Sequence, residues 1–224
     1  LGGFDAAMQS QRSRARDDNK FSHSSDLSIK VQTISTFVGY ESTEDNAEIK
    51  ELFFEGKTTT SLTKGQHGIL VTDNTPFYAE SGGQIGDIGQ IQSKDGFFRV
   101  TDTKKQNKTI IHHGFMEKGE IKISDNVVMD IDNNRRSNIT ANHSATHLMH
   151  AALRNILGNQ VTQKGSLVDE NRLRFDFSYN KPLSPSNLFD IEVQVNNEIR
   201  KNYVSKTKLM PYDDAIKSGA MALF

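Results

Sequence analysis

Cysteine is absent from this 224-residue chain. That excludes disulfides and removes thiolate from the ligands open to any metal, which must then be held by histidine, carboxylate or water. No apolar run approaches the length needed to span a bilayer, and no signal-peptide pattern opens the chain. The reading is therefore a soluble, cytoplasmic type of protein without a membrane partner. An excess of charge is missing too, since 27 Lys and Arg against 28 Asp and Glu leave a net charge of −1. A chain so balanced does not capture DNA or RNA by bulk electrostatics. Arg135 with Arg136, or Arg172 with Arg174, could still meet RNA phosphates locally, although solvated faces are the plainer reading of those pairs. An initiating methionine is also lacking. The chain opens at Leu1 and stops at Phe224 inside the apolar run Ala-Met-Ala-Leu-Phe, as expected of a piece of a longer protein. With 25% charged and 35% hydrophobic residues it is polar for a globular domain but should fold.

The most informative stretch is Asn138 to Gly158. Ala145, Leu148, Met149, Ala152, Leu153 and Ile156 recur at the spacing of an amphipathic helix, and Gly158 supplies a stop. His143 and His147 lie one turn apart, roughly opposite the centre of that stripe. Two imidazoles at i and i+4 can converge on one ion; two solvated histidines are the bland alternative. The helix is not that of a zinc protease, because Ser144 stands where a catalytic Glu would follow the first His. Thr146 and His150 add a hydroxyl and a further imidazole, readable as surface polarity.

Residues 1 to about 20 have apolar positions at helical spacing, and Asp17 to Ser25 reads as a linker. From Ser28 to about Ile131 the pattern becomes short strands: Ile29–Gln32, Thr36–Val38, Glu51–Phe54, Gly68–Val71, Phe97–Val100, Thr109–Ile111 and Val127–Met129. Lys94-Asp95-Gly96 is a hairpin signal. Many short strands at regular spacing argue for a small antiparallel barrel or sandwich. Within them, Thr75 to Gly89 is a glycine-rich loop that lacks the lysine of a P-loop and the strand-to-helix context of a dinucleotide fingerprint. Beyond the histidine helix, Val161–Val168 reads as strand, loop, strand, and Leu173, Phe175 and Phe177 mark a half-buried strand. Ser184-Pro185 starts a helix with Leu188, Ile191, Val195 and Ile199 on its buried face. A strand near Val204–Leu209 and a short helix Tyr212–Lys217 close an α+β layer.

Taken together, Gly3–Arg16, Thr75–Gly89 (TPFYAESGGQIGDIG), Asn142–Gly158 (NHSATHLMHAALRNILG), Val161–Val168 (VTQKGSLV), Arg172–Phe177 (RLRFDF) and Gly219–Phe224 (GAMALF) resemble, in order and spacing, the editing region of bacterial alanyl-tRNA synthetases. The resemblance implies an α+β fold. Residues 1–25 would end a preceding tRNA-recognition helical domain, 26–132 would form a small antiparallel β-barrel subdomain, and 133–224 a mixed α+β editing subdomain carrying the H-x-x-x-H helix. It implies hydrolysis of seryl- or glycyl-tRNA(Ala) made in error, in a parent enzyme that joins alanine to tRNA(Ala). ATP and magnesium would serve that parent's separate catalytic domain. His143 and His147 match two zinc ligands of the family, whose other two, a Cys and a His, would lie beyond Phe224. The isolated chain is accordingly expected to be inactive. Thr146, Gln163 and Ser166 match residues of the editing pocket, over which the Ser81–Gln84 loop would close. Alternatives are an editing domain of threonyl-tRNA synthetase type and a non-catalytic RNA-binding barrel.

Overall fold

A computed structural model describes residues 29–204, 208 and 210–219. The helix expected over residues 1–20 and the linker after it lie outside the described residues. The chain divides into two compact units, one made of the residues up to Glu80 together with 86–132, the other of Ser81–Ile85 and the residues from Asn133 onward.

Among the described residues the first unit holds ten strands: β1 Thr36–Phe37, β2 Glu44–Phe54, β3 Lys57–Thr59, β4 Ser61–Thr63, β5 His67–Thr72, β6 Asn74–Thr75, β7 Gly89–Gln92, β8 Gly96–Gln106, β9 Thr109–Lys122 and β10 Asn126–Ile131. Strands run in the order β10-β7-β8-β9-β5-β2, and β10 pairs again with β2, so six antiparallel strands close on themselves. Closure removes the free edges that an open sheet would present. The interior is filled by Ile49, Leu52, Leu70, Phe77, Ile91, Phe98, Met116 and Met129 among others.

Strand β2 explains how one strand serves two clusters. Ala47 and Ile49 point inward; an irregularity between Ile49 and Glu51 shifts the phase, so Leu52 is again inward. Phe53 then faces outward, into a second cluster with Ile29, Ile69, Val71 and Ile111. Ile29–Gln32 was expected as a strand but joins no ladder among the described residues. Its alternation is real, since Ile29 is buried and Lys30 exposed. It covers apolar side chains on the outside of the barrel, and Glu51 accepts from the amides of Gln32 and Thr33 where a neighbouring strand would otherwise have done so.

The second unit contains helix α1 Asn133–Leu157, strands β11 Thr162–Val168 and β12 Leu173–Ser178, helix α2 Pro185–Lys201 and helix α3 Tyr212–Lys217. Strands β11 and β12 form an antiparallel hairpin. Val161–Val168 is thus one strand rather than two: the residues Lys164-Gly165 that suggested a loop sit at an irregularity between Gln163 and Gly165. Ser184 caps α2 by accepting from the Asn187 amide, and Asn187 Oδ1 accepts in return from the Ser184 amide. Only Ile191 of the expected buried face is fully buried; Leu188 and Ile199 are exposed. Ile191 packs with Ala152, Leu153, Leu157 and Val161, flanked by Met149, Phe175 and Phe177. Val204 is exposed and outside any strand, and most of the rest of the strand expected there lies outside the described residues. Among the described residues no helix is long and apolar enough to cross a membrane.

Candidate functional site

The site is built within the second unit from three segments distant in sequence. Helix α1 begins five residues earlier than its apolar pattern suggests, because Asn133–Ser137 is polar and invisible to a hydrophobic wheel. Its fully buried residues are Ile139, Thr146, His150, Ala152, Leu153 and Leu157. The buried stripe is therefore rotated by roughly a quarter turn from the one read from hydrophobicity. That brings His143 to its flank, half-buried, and leaves His147 exposed. Its buried stripe mixes polar Thr146 and His150 with apolar Ile139, Leu153 and Leu157.

His143 and His147 stack, with ring centroids 5.0 Å apart and planes 15° from parallel. Thr146 is 6% exposed, and its hydroxyl donates to the Asn142 carbonyl at 2.8 Å. His150 is not surface polarity. It is equally buried, its ring lies 5.1 Å from that of Phe175, and its Nε2 has no hydrogen-bond partner among the described residues. Burial, and then the charges of Arg154 and His147, hold its pKa below the ordinary histidine value.

The glycine-rich loop supplies the second segment. Ser81 and Gln84 exchange both backbone hydrogen bonds, at 3.1 and 3.0 Å, across Gly82 and Gly83, whose φ angles are +61° and +84°. Two successive left-handed residues make this a two-residue hairpin of the kind glycine favours. The hairpin docks on β11: the Val168 amide donates to the Gly83 carbonyl at 2.8 Å, and the Ile85 amide to the Val168 carbonyl at 3.2 Å. A Cβ on Gly83 would lie 2.6 Å from the Ser166 carbonyl oxygen, so no larger residue fits without moving backbone. Gln84, 4% exposed, is thereby fixed with Oε1 at 2.5 Å from His143 Nδ1.

Strand β11 supplies the third segment. Gln163 Nε2 donates to Ser166 Oγ at 3.2 Å, and Ser166 Oγ donates to the Gly82 carbonyl at 3.3 Å. The hydrogen bonds therefore join Gln163, Ser166 and the glycine turn, and Gln84 with His143. Thr146 is bonded to neither Gln163 nor Ser166. Among the described residues, none of the hydrogen bonds of His143, Thr146, Gln163 and Ser166 is to a carboxylate. The arginine pairs are largely neutralised. Arg135 meets Glu170 at 3.3 Å, Arg172 meets Asp169 at 3.4 Å and Arg174 meets Asp176 at 3.2 Å.

The sequence reading named His150 only as a further imidazole readable as surface polarity, and Gln84 only as the end of the Ser81–Gln84 loop. A polar residue directly after a Gly-Gly turn was the available signal for Gln84. For His150 it was the line Ile139, Thr146, His150, Leu153, Leu157 at spacings of three, four and seven.

As a metal site, the arrangement offers two imidazoles. Burial, and then the neighbouring His147, lower the pKa of His143, which favours the neutral ring a metal requires. Among the described residues no group of three or more His, Cys, Asp or Glu could hold an ion. The pair fits half of a tetrahedral set, not a whole one.

The sequence profile of the family tRNA synthetases class II (A) matches residues 1–135. The chain belongs to that family. The profile ends in the first turn of α1, and full-length relatives carry the likeness onward. The chain is 49% identical over 222 residues to the alanine–tRNA ligase of Psychrobacter arcticus, a match covering 99% of the chain and 25% of the relative. It is 47% identical over 222 residues to the alanine–tRNA ligase of Idiomarina loihiensis, covering 99% and 26%. The chain thus spans about a quarter of the length of the curated relatives it matches.

Proposed function

We propose that the second unit is the hydrolytic editing module of a cytoplasmic alanine–tRNA ligase, cleaving seryl or glycyl esters from tRNA(Ala). The parent would attach alanine to that tRNA with ATP and magnesium in a domain outside this chain. The need is physical, since a pocket that admits alanine cannot strongly exclude a side chain differing by a hydroxyl or a methyl group. The observation that carries the reading is the convergence of Gln84, His143 and His147, and Gln163 with Ser166, from three separated segments onto one unit. Relatives bearing the alanine–tRNA ligase name over 99% of the chain favour the alanine type over the threonine type.

His143 and His147 would hold a zinc ion, with two further ligands expected beyond Phe224. When bound, zinc supplies a Lewis acid and lowers the pKa of a water ligand. The chain's own residues do the rest by placement. Thr146, its proton committed to Asn142, keeps lone pairs with which to accept from a seryl hydroxyl or an ammonium group. Gln163, with one amide proton on Ser166, keeps a carbonyl oxygen and a second N–H for the same groups. Holding an already reactive ester against water contributes much of the rate.

Single-turnover hydrolysis of seryl-tRNA(Ala) by the full-length protein tests the reading. His143→Ala with His147→Ala should abolish hydrolysis and leave alanine charging intact. Undiminished hydrolysis refutes the assignment, and a parent protein that binds seryl-tRNA without cleaving it would indicate a non-catalytic RNA-binding module.

A further inference from the structure

The buried glutamine of the glycine turn has no step assigned to it in the chemistry above, yet its side chain meets an imidazole. Its backbone is fixed from two sides. The turn closes through both Ser81–Gln84 bonds, and the Gly83 carbonyl and Ile85 amide are bonded to Val168. Only 4% exposed, the side chain has little room in which to turn to another partner. It meets His143, 59 residues away in sequence, at 2.5 Å.

Neutral imidazole carries one proton, and the hydrogen bond made by one ring nitrogen decides the role of the other. A side-chain carbonyl oxygen can only accept. We infer that Gln84 is a positioning residue: its Oε1 accepts from His143 Nδ1–H and so holds His143 in the tautomer that leaves the Nε2 lone pair free. An unrestrained neutral histidine prefers the opposite form, with the proton on Nε2, in which no lone pair faces outward from that end of the ring. The glycine turn therefore selects the minority tautomer. Nε2 becomes the nitrogen that meets a metal ion or an acidic proton. Outer hydrogen bonds of this kind orient the histidines of metal sites generally. The consequence for a metal rests on the editing reading given above; the tautomer is a property of this chain alone.

Two-bond proton–nitrogen correlation spectra of the 15N-labelled, metal-free chain at neutral pH test the inference directly. In the unsubstituted chain His143 should show a protonated Nδ1 and a bare Nε2. Gln84→Met keeps the length and removes the acceptor, and should move more than half of the population to the Nε2–H form. Gln84→Glu restores an acceptor and should restore the Nδ1–H form. Slow exchange of the Val168 amide in each variant verifies that the turn is still docked. An Nε2–H form in the unsubstituted chain overturns the inference without any mutation, as would an unchanged tautomer in docked Gln84→Met. Failure of the parent to hydrolyse seryl-tRNA, with the tautomer as stated, would refute the editing reading and leave this one standing.

Discussion

Replacing Gly83 by alanine and, separately, Gly82 by alanine separates two costs that ordinarily arrive together. Both residues have positive φ, at +84° and +61°, so each substitution places an L side chain in the left-handed region. That costs about 1–2 kcal/mol. At Gly82 nothing among the described residues lies within 4 Å of the added carbon, so the cost ends there. At Gly83 the carbon would sit 2.2 Å from Ser166 Oγ and 2.6 Å from the Ser166 carbonyl oxygen. The hydroxyl can turn aside, but the carbonyl belongs to β11 and cannot. Overpacking of this kind adds about 1–3 kcal/mol. Opening of the docked turn should therefore be about 5- to 150-fold more favourable in Gly83→Ala than in Gly82→Ala. Hydrogen exchange of the Val168 amide, whose acceptor is the Gly83 carbonyl, reads that opening locally. Equal acceleration in the two variants would refute the argument that backbone proximity, rather than left-handed strain, makes Gly83 necessary.

In the full-length protein, Gln163→Ala should slow hydrolysis of seryl-tRNA(Ala) about tenfold to a hundredfold, the consequence of a polar partner left unpaired, with alanine charging unchanged; equal single-turnover rates would exclude its role. The chain itself should hold zinc weakly, since two imidazoles are fewer than the three protein ligands of a usual site. Elemental analysis finding one zinc per chain after dialysis would contradict this. His112, buried between the Thr75 hydroxyl and the Leu70 carbonyl, has its pKa lowered by burial from 6.5 to about 4. The folded chain then binds fewer protons than the unfolded one below pH 6.5, so stability is lost as pH falls through that window and is insensitive to this group above it. The loss by pH 4 is about 3 kcal/mol. Urea unfolding across that range measures it, and a folded-state titration of His112 near 6.5 would disprove the cause.

Strand patterns were legible wherever one face is buried. Phe98 and Val100 in β8 and Val127 and Met129 in β10 alternate as their neighbours require. Barrel closure was expected from the family resemblance, whereas the strand pattern alone left barrel or sandwich open, because the pairing of Asn126 with Glu48 joins residues that no local window contains. Alternation also overcalled Ile29–Gln32, since period two reports a half-buried extended chain and not a ladder. In the site, the His143–His147 spacing was readable as helix geometry. The burial of Thr146 and His150 was not, since a hydrophobicity scale assigns polar residues to the outside and misplaces the stripe when two of its buried members are polar. Gln84 was visible only as the end of the Ser81–Gln84 loop. Its partner lies in another element, and only the fold brings them together.

The chain leaves the barrel after Glu80, lends Ser81–Ile85 to the other unit, and returns at Gly86. This loan makes the barrel part of the histidine helix's supply line. A ribosome finishes the turn and most of the barrel strands well before α1 emerges, so the docking ligand for β11 is already presented when Val168 is made. Cutting the gene at Asp132 would separate Gln84 from His143 and strip β11 of its borrowed neighbour. Neither fragment would hold the site, and only the two mixed together could rebuild it.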